Sequence, residues 1–126
     1  MKRMSFCRDT AGSSAVELSL TAPFFFALLF GLIEGALVLW TQLGLQHATT
    51  MAARCASIDV STCKDSGTVQ SYAVQQSFGV NPPASTFSFS TPSCGNQVSA
   101  SYQFNFVTTY FGTPSLTLSA LSCFPK

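Results

Sequence analysis

Apolar and polar positions divide the chain into three regimes. From Leu18 to Trp40 nearly every position is apolar, interrupted by Ser19, Thr21 and Glu34. About 23 residues in helical form reach roughly 34 Å, enough to cross the hydrocarbon core of a bilayer. Beyond Trp40 the pattern becomes amphipathic. Leu43, Leu45, Ala48, Met51, Ala52 and Cys55 recur at roughly helical spacing, which predicts that the helix continues out of the membrane to about Ala56. A second short helix is predicted over 68–78, with Ser66 as its cap and Val69, Tyr72 and Ala73 on one face. Gly79, Asn81, Pro82 and Pro83 stop it.

The third regime has a period of two. Phe87 and Phe89 alternate with Thr86, Ser88 and Ser90, which predicts a short first strand. In VSASYQFNFV, residues 98–107, Val98, Ala100, Tyr102, Phe104 and Phe106 face one way, and Ser99, Ser101, Gln103 and Asn105 the other. Leu116, Leu118 and Ala120 repeat the alternation after a loop around Gly112 and Pro114, as an antiparallel hairpin would. The aromatic stripe reads as core packed on the helices. The predicted fold class is α+β: an N-terminal transmembrane helix extending out of the membrane, a second short helix, and a small antiparallel sheet of about three strands.

Composition and charge narrow the setting. Only 9% of the 126 residues are charged, against about 25% in ordinary soluble domains. Six basic and five acidic residues give a net charge of +1 without a basic face, so no nucleic-acid partner is expected. Lys2, Arg3 and Arg8 precede the apolar segment and Arg54 is the first basic residue after it, which puts the N-terminus in the cytoplasm. Trp40 suits an aromatic anchor at the outer headgroup level. A cleaved secretory signal would have an apolar core of about 7–15 residues followed by a small-x-small site, and neither feature is present.

Cys55, Cys63, Cys94 and Cys123 all follow the membrane segment, an even number in a small domain with a thin core, which predicts two disulfides outside the cytoplasm. A hairpin brings Cys94 and Cys123 to one end of the sheet, and Cys55 and Cys63 are close enough to close the turn after the first helix. Those pairs are favoured over the other two connectivities. No C-x-x-C pair or clustered histidine points to a metal. Cys7 lies on the cytoplasmic side, where it stays reduced. His47 is the chain's one histidine, expected on the surface of the emerging helix, and the outer acids are Asp59 and Asp65. Without an activated nucleophile or a tuned acid–base pair, no catalytic residue, cofactor or small-molecule substrate is expected.

The opening stretch has to carry the function. A basic leader ends at Gly12, and Glu17 is the fifth residue after that glycine, at the mouth of the apolar helix. This layout resembles a class III, type IV pilin-like signal, in which the cut precedes the hydrophobic segment and the helix stays in the product. Residues 12–56, including Glu17, Pro23, Phe30, Gly31, Glu34 and Ala52-Ala53-Arg54, resemble TadE-like pseudopilins, minor components of the Tad (tight adherence, Flp pilus) system. The resemblance implies cleavage by a prepilin peptidase between Gly12 and Ser13 and a role in pilus biogenesis at the bacterial inner membrane. Its implied partners are other Tad pilins or pseudopilins and inner-membrane platform proteins.

Residue chemistry fits that implication. After cleavage Ser13 would carry an amine, and Glu17, one helical turn on, could pair with it or with a neighbouring subunit's amine. Gly31 and Gly35 form a G-x-x-x-G step beside Glu34, a face on which another helix could pack closely. Pro23 removes the backbone hydrogen bond to Ser19 and should kink the helix near its cytoplasmic end. The expected organisation is a cytoplasmic leader over 1–12, an assembly helix over 13–56 and a periplasmic α+β domain over 57–126. Two alternatives are a signal-anchored periplasmic binding module, which would keep residues 1–12, and a secreted disulfide-rich protein, which would lose the apolar segment.

Overall fold

A computed structural model describes residues 10–107 and 115–126. The leader residues Lys2, Arg3, Cys7 and Arg8, and the loop around Gly112 and Pro114, lie outside the described residues. The chain separates into two compact units, Met1–Gly35 and Ala36–Lys126. Helix α1 (Thr10–Ile58) contributes to both, and is followed by α2 (Ser66–Gln75), a single 3-10 turn (Ala84–Thr86) and strands β1 (Phe87–Ser90), β2 (Asn96–Asn105) and β3 (Ser115–Phe124). The sheet is antiparallel in the order β1-β2-β3. The expected architecture is present, with both disulfides.

In the unit Ala36–Lys126 the helix buries Leu45, Ala48, Thr49, Ala52, Ala53 and Ala56, spaced as one helical face. Leu43 was expected on that face and is instead 62% exposed. Its neighbour Gly44 takes the close contact, since a Cβ there would come within 2.9 Å of the Ser77 carbonyl oxygen and 3.2 Å of Val80 Cγ2. The alanines admit close approach, while Phe87, Val98 and Val69 supply bulk from the sheet and α2. Full burial of Phe87 is worth about 2–3 kcal/mol.

Several boundaries differ from the sequence expectation, each for a local reason. Asp65, not Ser66, caps α2: its carboxylate accepts from the Thr68 backbone N–H at 2.9 Å, and the Thr68 hydroxyl closes a reciprocal capping box. The Thr68 backbone N–H, then its hydroxyl, hold the Asp65 carboxyl below its ordinary range. That stabilisation is present above the usual carboxylate pKa and lost as pH falls through the lowered one. Helix α2 ends at Gln75, because Phe78, Gly79 and Asn81 all adopt positive φ. Strand β2 begins at Asn96, and Phe106 and Val107 follow its end. Leu116 is 42% exposed although its parity matches that of buried Leu118 and Ala120, because it lies near the open end of the hairpin.

Three side-chain amides join elements distant in sequence. Asn96 Nδ2 donates to the Ala56 carbonyl at 3.0 Å and so satisfies the end of α1. Gln42 Nε2 donates to the Ser119 carbonyl on β3 at 2.8 Å, and Gln70 Nε2 to the Phe87 carbonyl on β1 at 2.9 Å. Helical glutamines thereby occupy acceptors on both outer strands, which blunts the sheet edges.

The disulfides are Cys55–Cys63 and Cys94–Cys123. The first ties the turn after α1 to the helix, and both of its cysteines are buried. Replacing this pair by alanines is expected to cost about 2–3 kcal/mol for its short loop on the chain-entropy model. Urea denaturation of the full chain in detergent measures that loss, and peptide mapping without reduction recovers the two links.

Candidate functional site

The unit Met1–Gly35 holds most of the apolar stretch, which runs on to Trp40. Helix α1 qualifies as a membrane span by length and hydropathy, and none of its most apolar window is buried within the chain. Phe24, Phe25, Phe26, Phe30 and several leucines present their side chains outward. The rings of Phe26 and Phe30, one turn apart, stack at 6.4 Å, and those of Phe25 and Phe26 meet edge to face at 5.6 Å. In water this surface would be costly, and in lipid it is matched.

Hydroxyls inside the stretch are satisfied within the helix. Ser19 Oγ donates to the Val16 carbonyl at 2.7 Å, and Thr21 Oγ1 donates to the Glu17 carbonyl at 3.0 Å. Such back-bonding lets polar side chains enter hydrocarbon without stranded donors. The helix continues through Pro23. Ser13 and Glu17 are four residues apart on α1 and so share a face. Glu17 is exposed, and Glu34 is half-buried.

The glycines divide into two kinds. Gly44 and Gly95 are required by the fold, because an added Cβ would strike backbone in either case. Around Gly12, Gly31 and Gly35 nothing lies within 4 Å of such a Cβ. Packing among the described residues therefore gives no reason for those three glycines. Gly31 and Gly35 leave a flat strip on α1, and Gly12 leaves a stretch of backbone without a side chain.

In the unit Ala36–Lys126, Asp59, Asp65 and His47 serve local structure. Asp59 accepts hydrogen bonds from the hydroxyls of Ser61 and Thr62 and from the Thr62 backbone N–H, and these hold its carboxyl below the ordinary range. Asp65 is the cap of α2. His47 Nδ1 lies 3.1 Å from the Gln76 carbonyl, and its ring packs on Phe78 at 4.3 Å, so it is more enclosed than a surface histidine. Shallow grooves flank Tyr72, one bounded by Met51, Arg54 and Ile58 and the other by Thr62, Thr68 and Gln75. Among the described residues no cluster of His, Cys, Asp or Glu could hold a metal ion.

Sequence reasoning missed Gln42, Gln70 and Asn96, whose partners lie on other elements. It also missed Gly44, although a lone glycine inside a helix is itself a signal of close backbone approach. A family model described as TadE-like protein matches residues 12–54. No curated protein matches the chain, and no solved structure does.

Proposed function

Because the chain belongs, over residues 12–54, to the TadE-like protein family, we propose that it is a minor pilin or pseudopilin of a Tad pilus, processed by a prepilin peptidase and anchored in the bacterial inner membrane. The observation that carries this reading is the position of the family segment. It begins at Gly12, where the basic leader ends, and extends through the whole apolar stretch.

In this reading residues 1–12 are the cytoplasmic leader, 13–56 the assembly helix and 57–126 the periplasmic domain. The peptidase cuts between Gly12 and Ser13. That bond lies in the first turns of α1, where helix ends fray, and Gly12 offers no side chain to obstruct an extended backbone in the protease. Cleavage releases an amine at Ser13, and Glu17 is placed to pair with it or with that of a neighbouring pilin. The open strip at Gly31 and Gly35, with Glu34 beside it, accepts the helix of another pilin or of a platform protein. The outer domain acts as a folded, disulfide-linked head and needs no cofactor.

The test is the mature N-terminus. Protein purified from membranes of its native host is expected to begin at Ser13 by mass spectrometry, and Gly12→Leu is expected to accumulate as the full-length precursor. A wild-type chain still carrying Met1 or Lys2 overturns the pilin reading in favour of a retained signal anchor. Loss of the entire apolar segment overturns it in favour of a secreted protein.

A further inference from the structure

Within the unit Ala36–Lys126 the chain folds back after α1, and α2 returns along that helix. The Cys55–Cys63 bridge ties the turn to α1, and past the other end of α2 the Gln76 carbonyl lies 3.1 Å from His47 Nδ1, roughly two turns before Cys55. The two helices are therefore antiparallel neighbours. Met51, Arg54, Cys55 and Ile58 follow at i, i+3, i+4 and i+7, which places them on one face of α1. With Asp59 and with Tyr72 of α2 they bound a groove of about 310 Å³. Tyr72 separates it from a more polar groove that ends at Gln75.

The charges at the first groove are not equivalent. Asp59 is engaged, its two carboxylate oxygens accepting from Ser61 and Thr62. Lys64 stands beside Asp65 and does not line this groove. Arg54 is exposed and makes no hydrogen bond or ion pair among the described residues. The groove thus offers one guanidinium with its donors unused, set among a thioether, a phenol ring and Ile58, which is 69% exposed.

We propose that this groove is a docking site for a segment of a partner protein in which an aspartate or glutamate, flanked by apolar residues, pairs with Arg54. The flanking side chains lie on Met51, Ile58 and Tyr72. Charge selects the anion. Asp59 balances Arg54, so a singly charged carboxylate that fits the guanidinium fork is accepted, whereas a phosphate dianion meets repulsion from Asp59. Size selects the class of ligand. Small-molecule sites enclose their ligands in about 300–1,000 Å³, and a shallow groove at the bottom of that range covers only a side chain or two. The rest of the contact has to come from the body that carries them. Covering Ile58 and Met51 removes apolar area from water, and excluding water from Arg54 strengthens its ion pair. Every residue involved lies in the unit Ala36–Lys126, so the inference does not depend on α1 spanning a membrane.

The experiment uses the full-length chain in neutral detergent, with its methionine methyl groups labelled with carbon-13. Met51 lies in the groove, and Met1 and Met4 precede the apolar stretch, so a Met51→Leu spectrum assigns the reporter. Acetyl-Leu-Glu-Leu-amide at millimolar concentration is expected to move the Met51 resonance, and the same peptide with glutamine is expected to leave it in place. Arg54→Gln should weaken binding of the glutamate peptide about tenfold. Arg54→Lys, which keeps the charge without the fork, should weaken it less, and Lys64→Gln should bind as the wild type does.

Equal shifts from the two peptides overturn the proposal, as does undiminished binding to Arg54→Gln or a Met51 resonance that neither peptide moves. Phosphatidylglycerol added to the micelles supplies the competing class. If the lipid moves Met51 through Arg54 and the glutamate peptide does not, the groove takes a headgroup and the proposal is overturned. Should Arg54→Gln lack either disulfide on peptide mapping, Arg54→Met is read in the same way. The terminus at Ser13 is measured separately, so failure here and failure of the pilin reading are distinguishable.

Discussion

A Glu17→Gln protein, made as the sole copy in its native host, is expected to reach the membrane at normal levels and to be cut at Ser13, yet to leave the cell without pili. An unpaired carboxylate in lipid costs roughly 2.5–3.5 kcal/mol at the centre of a span and less near the interface, so removing the charge favours insertion. Glutamine keeps the size and most of the helix propensity of glutamate, so α1 should be unaffected. What it cannot do is neutralise an amine. The new terminus at Ser13 would be left in a low-dielectric site with only a neutral amide four residues along, and truncating one partner of a buried pair is far more damaging than lacking the pair altogether. Glu17→Ala should behave in the same way, which separates charge from side-chain length. Piliation, with cross-linking to other pilin subunits, is the measurement. Unchanged piliation and unchanged cross-links would reduce Glu17 to an acid at headgroup level.

The largest effect on folding is expected at Gly95. Its φ is +124°, a region essentially closed to other residues, and a Cβ would run into the Phe124 carbonyl oxygen, with Pro125 Cα at 2.8 Å and the Phe124 carbonyl carbon at 2.9 Å. These are backbone atoms at the point where β2 begins opposite the end of β3, held on either side by the Cys94–Cys123 bridge. Neither strand end can yield without disturbing the other. Gly95→Val is therefore expected to lose about 4 kcal/mol, in the range reserved for backbone strain combined with overlap. Gly79→Ala is the matched control. Its φ is +81° but nothing lies within 4 Å of the added atom, so the cost should be about 1 kcal/mol from conformation alone. Urea midpoints of the full chains in detergent compare the two, and equal losses would show that the contact with the Phe124 backbone is of no consequence.

Those two residues illustrate what can be read from a chain and what cannot. Glu17 stands out because an acid at the mouth of an apolar run violates the local pattern, and no fold is needed to notice it. The apolar span, the alternation from Val98 to Phe104 and the even count of cysteines after the apolar run are legible for the same reason. Each follows from a solvent preference or a period carried by residues close together. The hairpin then brings Cys94 to Cys123, so even the pairing of the disulfides comes from local geometry.

Sequence alone determined the elements of this protein, their order and the segment on which its function is proposed. Tertiary structure decided which glycines the fold consumes and which it leaves open. Gly44 and Gly31 look alike within a helix, yet only the first meets the Ser77 carbonyl. It also decided that Leu43 faces outward while Thr49 is buried, and that Asn96 closes α1 across 40 residues. The physical reason is the same in each case. Contacts between residues far apart in the chain depend on register and on the rotation of one element against another, and neither leaves a mark in the spacing of hydrophobic positions.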